Sequence, residues 1–205
     1  KARHKVRKKS AISLISYDAD YLPNSIKTYY DYVDEIVLGL DKNRVSWSKN
    51  KFTFDESKLW SELNDIDSDG KITIVEEDFV KSDKAIENDN FERNYLKEQC
   101  SHDWIFSFDA DEELLNAHDF FVNYLPLVEK YYNTCDIMMT WATPFKTIED
   151  KTLVICENNG QAFLKEPQGV VTSKDSTYVF ARWTDKCQAE SKKLMSPLIA
   201  LHWSL

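Results

Sequence analysis

Apolar runs and helical periodicities alternate at short intervals through the first two thirds of the chain. AISLISY at 11–17 is a largely apolar stretch of strand length, and EIVLGL at 35–40 and KITIVE at 71–76 are two more. Between the first two, Pro23 and Asn24 open a helix in which Ile26, Tyr29, Tyr30 and Val33 recur at i, i+3, i+4 and i+7. Residues 55–64 predict a short helix with Leu59, Trp60 and Leu63 on one side, and a longer helix covers about 85–99. DWIFSF at 103–108 is a fourth strand and runs straight into Asp109. The helical stretch at about 115–132 carries Pro126, which should kink or divide it. Beyond it the pattern changes to closely spaced strands near 135–145, 153–157, 161–166, 177–183 and 198–203, with a short helix near 185–194.

Strand, helix, strand repeated with near-continuous apolar strands predicts an α/β fold. Its central sheet is mainly parallel, with helices on both faces and a mixed, strand-rich C-terminal part. No linker, repeat or low-complexity segment divides the chain. The expected organisation is a basic tail at 1–9 and one domain at 10–205, its nucleotide- and metal-binding half at 10–120 and its acceptor-side half at 121–205. In such sheets ligands sit at the carboxyl ends of the strands.

Composition narrows the chemistry. The 205 residues include only four glycines, and none forms G-x-G-x-x-G or G-x-x-x-x-G-K-[ST], so any phosphate must be held by something other than those backbone loops. The formal net charge is −9, yet six of the 26 positive charges lie in the first nine residues, leaving 20 against 35 acids in the rest. That body would repel nucleic acid. The basic tip is expected to be a solvated tail, with peripheral contact to anionic lipid as its alternative. Cys100, Cys135, Cys156 and Cys187 show no C-x-x-C spacing, and no stretch approaches 18 uncharged apolar residues. A cytoplasmic protein, membrane-peripheral at most, is the expectation.

The strand-end rule singles out Asp18 and Asp20 after the first strand, Asp41 after the second, and Asp109 and Asp111 after the fourth. Carboxylates converging on one rim are costly unless a cation or ligand lies between them, and hard oxygen ligands suit Mg²⁺ or Mn²⁺ completed by substrate phosphates. D-x-D spacing occurs four times, so it is weak alone. The pair Asp109/Asp111 stands out because an apolar strand delivers it. Solvated turn or helix-capping acids are the plainer reading.

SLISYDADYLPNSIKTYYDYVDEIVLGLD resembles the nucleotide-binding opening of GT-A glycosyltransferases, particularly family-2-like ones, and IFSFDADEEL resembles their D-x-D region. The similarity covers about residues 10–120. It implies a hexosyltransferase-type transfer from a nucleotide-sugar donor, UDP-sugar favoured, to a hydroxyl of a glycan or related acceptor, with Mn²⁺ or Mg²⁺ as cofactor. It further implies that Ser16, Tyr17 and Asp18 line the base and ribose, with Asp41 near them. Arg93 faces the nucleotide or, in the plainer reading, is an exposed helix cation pairing with Glu92 or Glu98. Asp111 is the principal metal ligand, Asp109 binds ribose or metal through water, and His202 joins the metal or the diphosphate. Asp18-Ala-Asp20 stands where Asn or Glu is usual in the family. Glu157, Glu166, Asp175 and Asp185 are the candidates for a catalytic base, none singled out by its neighbours. Trp141, Trp183 and Trp203 are suited to stacking on a sugar, or to core packing.

Two other classes compete. Asp65, Asp67, Asp69, Gly70 and Glu76 match positions of an EF-hand calcium loop, although the residues that should continue as a helix look like a strand. That pattern supports a calcium-binding interaction module as a non-enzymatic alternative. Phosphoaspartyl phosphatases also place D-x-D after an apolar strand, but Leu22 and Glu113 stand where their Thr or Val is wanted.

Overall fold

The computed structural model describes residues 7–132, 135–155, 167–186 and 193–203. Its first part alternates β1 (Lys9–Ile15), α1 (Leu22–Tyr29), β2 (Glu35–Asp41), α2 (Glu56–Ile66), β3 (Ile72–Glu77), α3 (Ala85–Gln99) and β4 (Trp104–Ser107). There follow β5 (Glu112–Leu114), a π-helical turn at Asp119–Tyr124, α4 (Leu125–Tyr131), β6 (Asp136–Ala142), β7 (Pro144–Ile148) and β8 (Lys151–Val154). The chain closes with β9 (Gln168–Ser173), β10 (Tyr178–Phe180), β11 (Trp183–Thr184) and β12 (Lys193–His202).

Eight of these strands form one sheet in the order β3-β2-β1-β4-β9-β6-β12-β5. The block β3-β2-β1-β4 is parallel throughout, and β6 and β12 are parallel to each other. β9 runs antiparallel between β4 and β6, and β5 antiparallel to β12. The fold is therefore the mixed α/β architecture expected from the alternation. β1 and β2 are buried over six of their seven residues because both sheet faces are covered, whereas edge strand β3 is largely exposed.

Ala11 and Ile15 of β1 pack with Leu22 and Ile26 of α1 and Leu59 and Leu63 of α2, while Ile12 and Leu14 pack with Leu96 of α3 on the other face. α2 starts where Asp55 accepts the Lys58 backbone N–H at 3.0 Å, a side-chain N-cap. Pro126 does divide its helix: it occupies the first turn of α4, where no N–H is needed, and the preceding turn is wound as π.

The later part departs from expectation. Residues 135–145 split into β6 and β7, β8 pairs back on β7, and 193–194 begin β12 instead of ending a helix. Glu112–Leu114 is a short strand against β12, just ahead of the helix expected from about 115. β9 joins the centre of the sheet at 168–173, just after the segment read as a strand at 161–166, which lies outside the described residues. No helix among the described residues is long and apolar enough to cross a membrane. Of the basic tip, residues 1–6 lie outside the described residues, and Arg7 sits over the Trp104 ring at 5.3 Å.

Candidate active site

Because β1, β2 and β4 are parallel neighbours, their carboxyl ends fall on one rim. Ser16, Tyr17 and Asp18 follow β1, Asp41 ends β2, and Asp109, Ala110 and Asp111 follow β4. All of them line one cleft of about 580 Å³, which β12 reaches with His202. The sequence-predicted set Ser16, Tyr17, Asp18, Asp41, Asp109, Asp111 and His202 is thus brought together. Tyr17 is the exposed member, at the mouth.

The loop after β2 forms a lip over this cleft. Asp41 is buried, and its carboxylate accepts from the backbone N–H groups of Asn43 at 2.9 Å, Val45 at 3.1 Å and Phe79 at 2.9 Å. Its acceptor capacity goes to shaping the loop. A bridge between Val45 and Lys51 then turns Trp47 inward, where its indole donates to Glu92 Oε2 at 2.7 Å. Asn88 holds the turn from behind by donating to the Trp47 carbonyl at 3.0 Å.

Beyond Asp18 the cleft is acidic. Asp18 is pushed up to about 7, chiefly by burial and then by Asp111, and its Oδ1 is buried without a hydrogen-bond partner. Burial also raises Asp111, and Asp109 and Glu112 add to the rise against the pull of His202. His202 Nε2 stands 3.4 Å from Asp111 Oδ2, its ring stacks on Trp141 with centroids 4.2 Å apart, and its Nδ1 is buried and unpartnered.

Asp109 has a different environment. Arg93 donates to its Oδ1 at 2.8 Å, and Arg182 lies 3.6 Å from Oδ2. Burial by itself would raise this carboxyl, but the two guanidiniums outweigh that and hold it well below the usual carboxylate range. Arg182 in turn pairs in bidentate fashion with fully buried Glu112, at 2.6 and 2.8 Å, while Arg93 also pairs with Asp89 at 2.5 Å. Trp141 Nε1 donates to Glu112 at 2.5 Å. Two guanidiniums therefore sit behind the wall among three carboxylates, and among the described residues Asp18 and Asp111 face the cleft without an arginine or lysine of their own.

That surplus is the test of whether the site suits a divalent ion. Asp111 and His202, 3.4 Å apart, offer a carboxylate oxygen and an imidazole nitrogen, the orphaned Asp18 oxygen shares their cleft, and the like charges of the two carboxylates are costly as they stand. Among the described residues no group of three or more His, Cys, Asp or Glu is placed so as to cage a metal ion. An ion that uses one or two protein ligands and completes its shell with phosphate and water needs no such cage.

Several expected residues lie elsewhere. Arg93 is buried behind the wall, with Asp89, Ser107 and Asp109 taking its donors, so it steadies Asp109 instead of facing the cleft. Asp175 is carried to the opposite end of the sheet, because β9 runs antiparallel to β4 and the Lys174 N–H donates to the Asp103 carbonyl just before β4. There Asp175 pairs with Lys186 at 2.5 Å. Asp185 closes the β10–β11 hairpin by accepting from the Thr177 N–H at 2.9 Å, and neither acid lines the cleft. Glu157 and Glu166, with Cys156 and Cys187, lie outside the described residues. Cys100 and Cys135 are buried free thiols.

The calcium-loop residues are committed to other work. Asp67 accepts from Tyr30 Oη at 2.8 Å and from the backbone N–H groups of Lys71 at 2.6 Å and Ile72 at 3.1 Å. Asp69 lies 3.4 Å from Lys71 Nζ, Glu76 pairs with Arg44 at 2.7 Å, and Asp65 belongs to α2. Gly70, at φ +67°, turns the chain into β3, and the exit is a strand, not the helix an EF-hand requires.

Glu92, Trp47 and Arg182 are site residues the sequence reading missed. A usable signal existed for the first: Asn88, Asp89, Glu92, Arg93, Leu96 and Lys97 recur at helical spacing and form the buried face of α3, but five of the six are polar.

No protein-family model matches this chain, and no curated protein sequence matches it. Among solved structures, 4-diphosphocytidyl-2C-methyl-D-erythritol synthase from Anaerococcus prevotii aligns over 95% of this chain and 87% of its own, with TM-score 0.52 and 13% identity. A mycobacterial protein aligns over 98% of this chain and 68% of its own, with TM-score 0.54 and 10% identity. Residues 1–349 of S. aureus TarS align over 70% of this chain and 38% of their own at TM-score 0.47 and 9% identity, too loose a match to build on. What this chain shares with the first two is the fold, a mixed α/β sheet covered by helices.

Proposed function

We propose that this protein is a metal-assisted glycosyltransferase that takes a sugar from a nucleoside diphosphate donor and passes it to an acceptor hydroxyl. The observation that carries this reading is the unbalanced acidic end of the cleft. Asp18 and Asp111 converge beside His202 at the carboxyl ends of the strands, next to space of nucleotide size. Asp111 and His202, with Asp18 in the same cleft, are the residues that would hold Mn²⁺ or Mg²⁺. The ion would supply charge neutralisation at the departing diphosphate.

The chain's own residues do the rest. Arg93 and Arg182 fix Asp109 from behind and keep it ionised, so that it accepts from donor hydroxyls without changing protonation state. Trp141 stacks on the His202 ring and fixes its plane. Exposed Tyr17 at the mouth offers a face for the base or sugar. The acceptor-side base and the sugar are sought in the later third of the chain, and UDP is the favoured nucleotide on the family resemblance.

The fold likeness to a synthase named for a diphosphocytidyl product supports a second reading, nucleotidyl transfer from a triphosphate. The turn after β1, Ser16-Tyr17-Asp18-Ala19-Asp20, weighs against it, because it has no glycine to let backbone amides wrap a triphosphate. Calorimetry with nucleoside di- and triphosphates, with and without Mn²⁺, tests both. Glycosyl transfer expects the diphosphate to bind as a product-like ligand, at least about tenfold tighter with metal. A triphosphate bound far more tightly, with pyrophosphate released on adding an acceptor, would replace it with the second reading.

A further inference from the structure

Glu92 is not among the acids that the strand-end rule selects, since it comes from the middle of α3, yet it lines the cleft. It is almost wholly buried. Its Oε2 accepts from Trp47 Nε1, and no group among the described residues bonds Oε1. Gly39 of β2 lies directly beneath: a Cβ there would stand 2.6 Å from Oε1 and 2.7 Å from Leu96 Cδ1. Glycine in the middle of a buried strand weakens it, so this glycine is explained by the room it leaves for the carboxyl and for the Leu96 side chain. The groups facing Glu92 are Arg93 and Asp89 of its own helix, Asp41 of β2 and the neutral indole of the lip. None forms an ion pair with it. The acidic end of the cleft, with Asp18, Asp111 and His202, has a separate set of charge neighbours.

We infer that Glu92 reads the nucleobase: with Oε2 tied to the indole, its free Oε1 presents a hydroxyl donor to a carbonyl oxygen of the base, favouring uracil, cytosine or guanine over adenine. This rests on the nucleotide-donor reading and deepens it. The protonated form is the one the site maintains, because burial pushes the carboxyl up to about 8. A neutral acid can donate a hydrogen bond, which an ionised one cannot. Adenine has no carbonyl on any edge, and where its amino group meets the carboxyl hydroxyl two donors face each other in a desolvated place.

The test compares cytidine, uridine, guanosine and adenosine, uncharged at the phosphate end, by calorimetry on the whole chain from roughly pH 6 to pH 9. Wild type is expected to bind the three oxo-bases about tenfold or more tighter than adenosine, and to lose about tenfold in cytidine affinity one pH unit above the Glu92 transition. Glu92→Gln keeps a donor at that position and is expected to bind cytidine with a flat pH profile. Trp47→Phe, which removes the indole N–H with part of the ring and whose folding is checked by its melting temperature, is expected to weaken cytidine binding at low pH. Adenosine binding as tightly as cytidine overturns the inference, as does a flat wild-type profile or a Glu92→Gln variant that no longer binds cytidine. Nucleoside diphosphates with Mn²⁺ are measured in parallel: their binding without base discrimination removes only the role of Glu92, whereas no nucleotide binding at all removes the donor reading as well.

Discussion

At the scale of single residues, the cleft is organised by which acids have partners. Asp109 has two guanidiniums, Asp41 three backbone amides, and Asp18 only its own backbone amide, with Oδ1 left unpartnered. A carboxyl raised to about 7 in the fold binds its proton more tightly folded than unfolded, so in metal-free protein Asp18 lowers stability as pH climbs from about 4 through 7. Asp18→Asn keeps the neutral shape at every pH. It should leave the melting temperature unchanged near pH 4, raise stability by on the order of 2–4 kcal/mol above pH 7, and blunt any stabilisation by Mn²⁺, all measurable by thermal shift. Arg182 is the converse case. Arg182→Met strands buried Glu112 and is expected to cost about 3–5 kcal/mol in denaturant unfolding, part of which Glu112→Gln in the same chain restores. The sequence marked Asp109 and Asp111 because an apolar strand delivers them. Nothing local to Arg93 could tell a residue facing the nucleotide from one bracing Asp109, since that depends on which side of α3 meets β4.

At the scale of elements, the first half was readable because its buried faces are apolar. A helix was expected at about 85–99, where α3 lies, but its function was hidden, since its buried stripe from Asn88 to Lys97 is polar and carries no hydrophobic period. The lip at 42–52 has no periodicity of either kind, and its shape comes from Asp41 and from positive φ at Arg44 and Lys49. The EF-hand-like segment shows the opposite failure. Its side-chain spacing fits a calcium loop, but β3 takes the residues into the sheet and Arg44 takes Glu76. Adding millimolar calcium should therefore leave the melting temperature of wild type and of Glu76→Gln alike unchanged, and the substitution itself, which removes a partly exposed ion pair, should cost less than about 1 kcal/mol. A calcium-dependent rise in wild type lost in Glu76→Gln would contradict this placement. Gly39→Ala meets Glu92 and Leu96 at under 3 Å and is expected to cost about 1–3 kcal/mol by urea unfolding.

At the scale of the whole molecule, the parallel block β3-β2-β1-β4 was legible as a pattern, and it alone places the strand-end acids together. The rest of the sheet was not, because β9, β6 and β12 are brought beside β4 by long-range pairing that no local period records, and Asp175 moved to the far end with the antiparallel β9. The net charge of −9 has the same two-level character: the count comes from composition, while the cleft's unpaired acids, the part that would attract a cation, emerge only from the fold. The most direct measurement is calorimetric titration of UDP into the protein with and without Mn²⁺, for wild type and for Asp111→Asn. Metal-dependent binding, at least about tenfold tighter with Mn²⁺ and reduced to the metal-free level in Asp111→Asn, is the predicted result. Nucleotide affinity that is indifferent to metal, or an Asp111→Asn variant that keeps the full metal effect, would contradict the account.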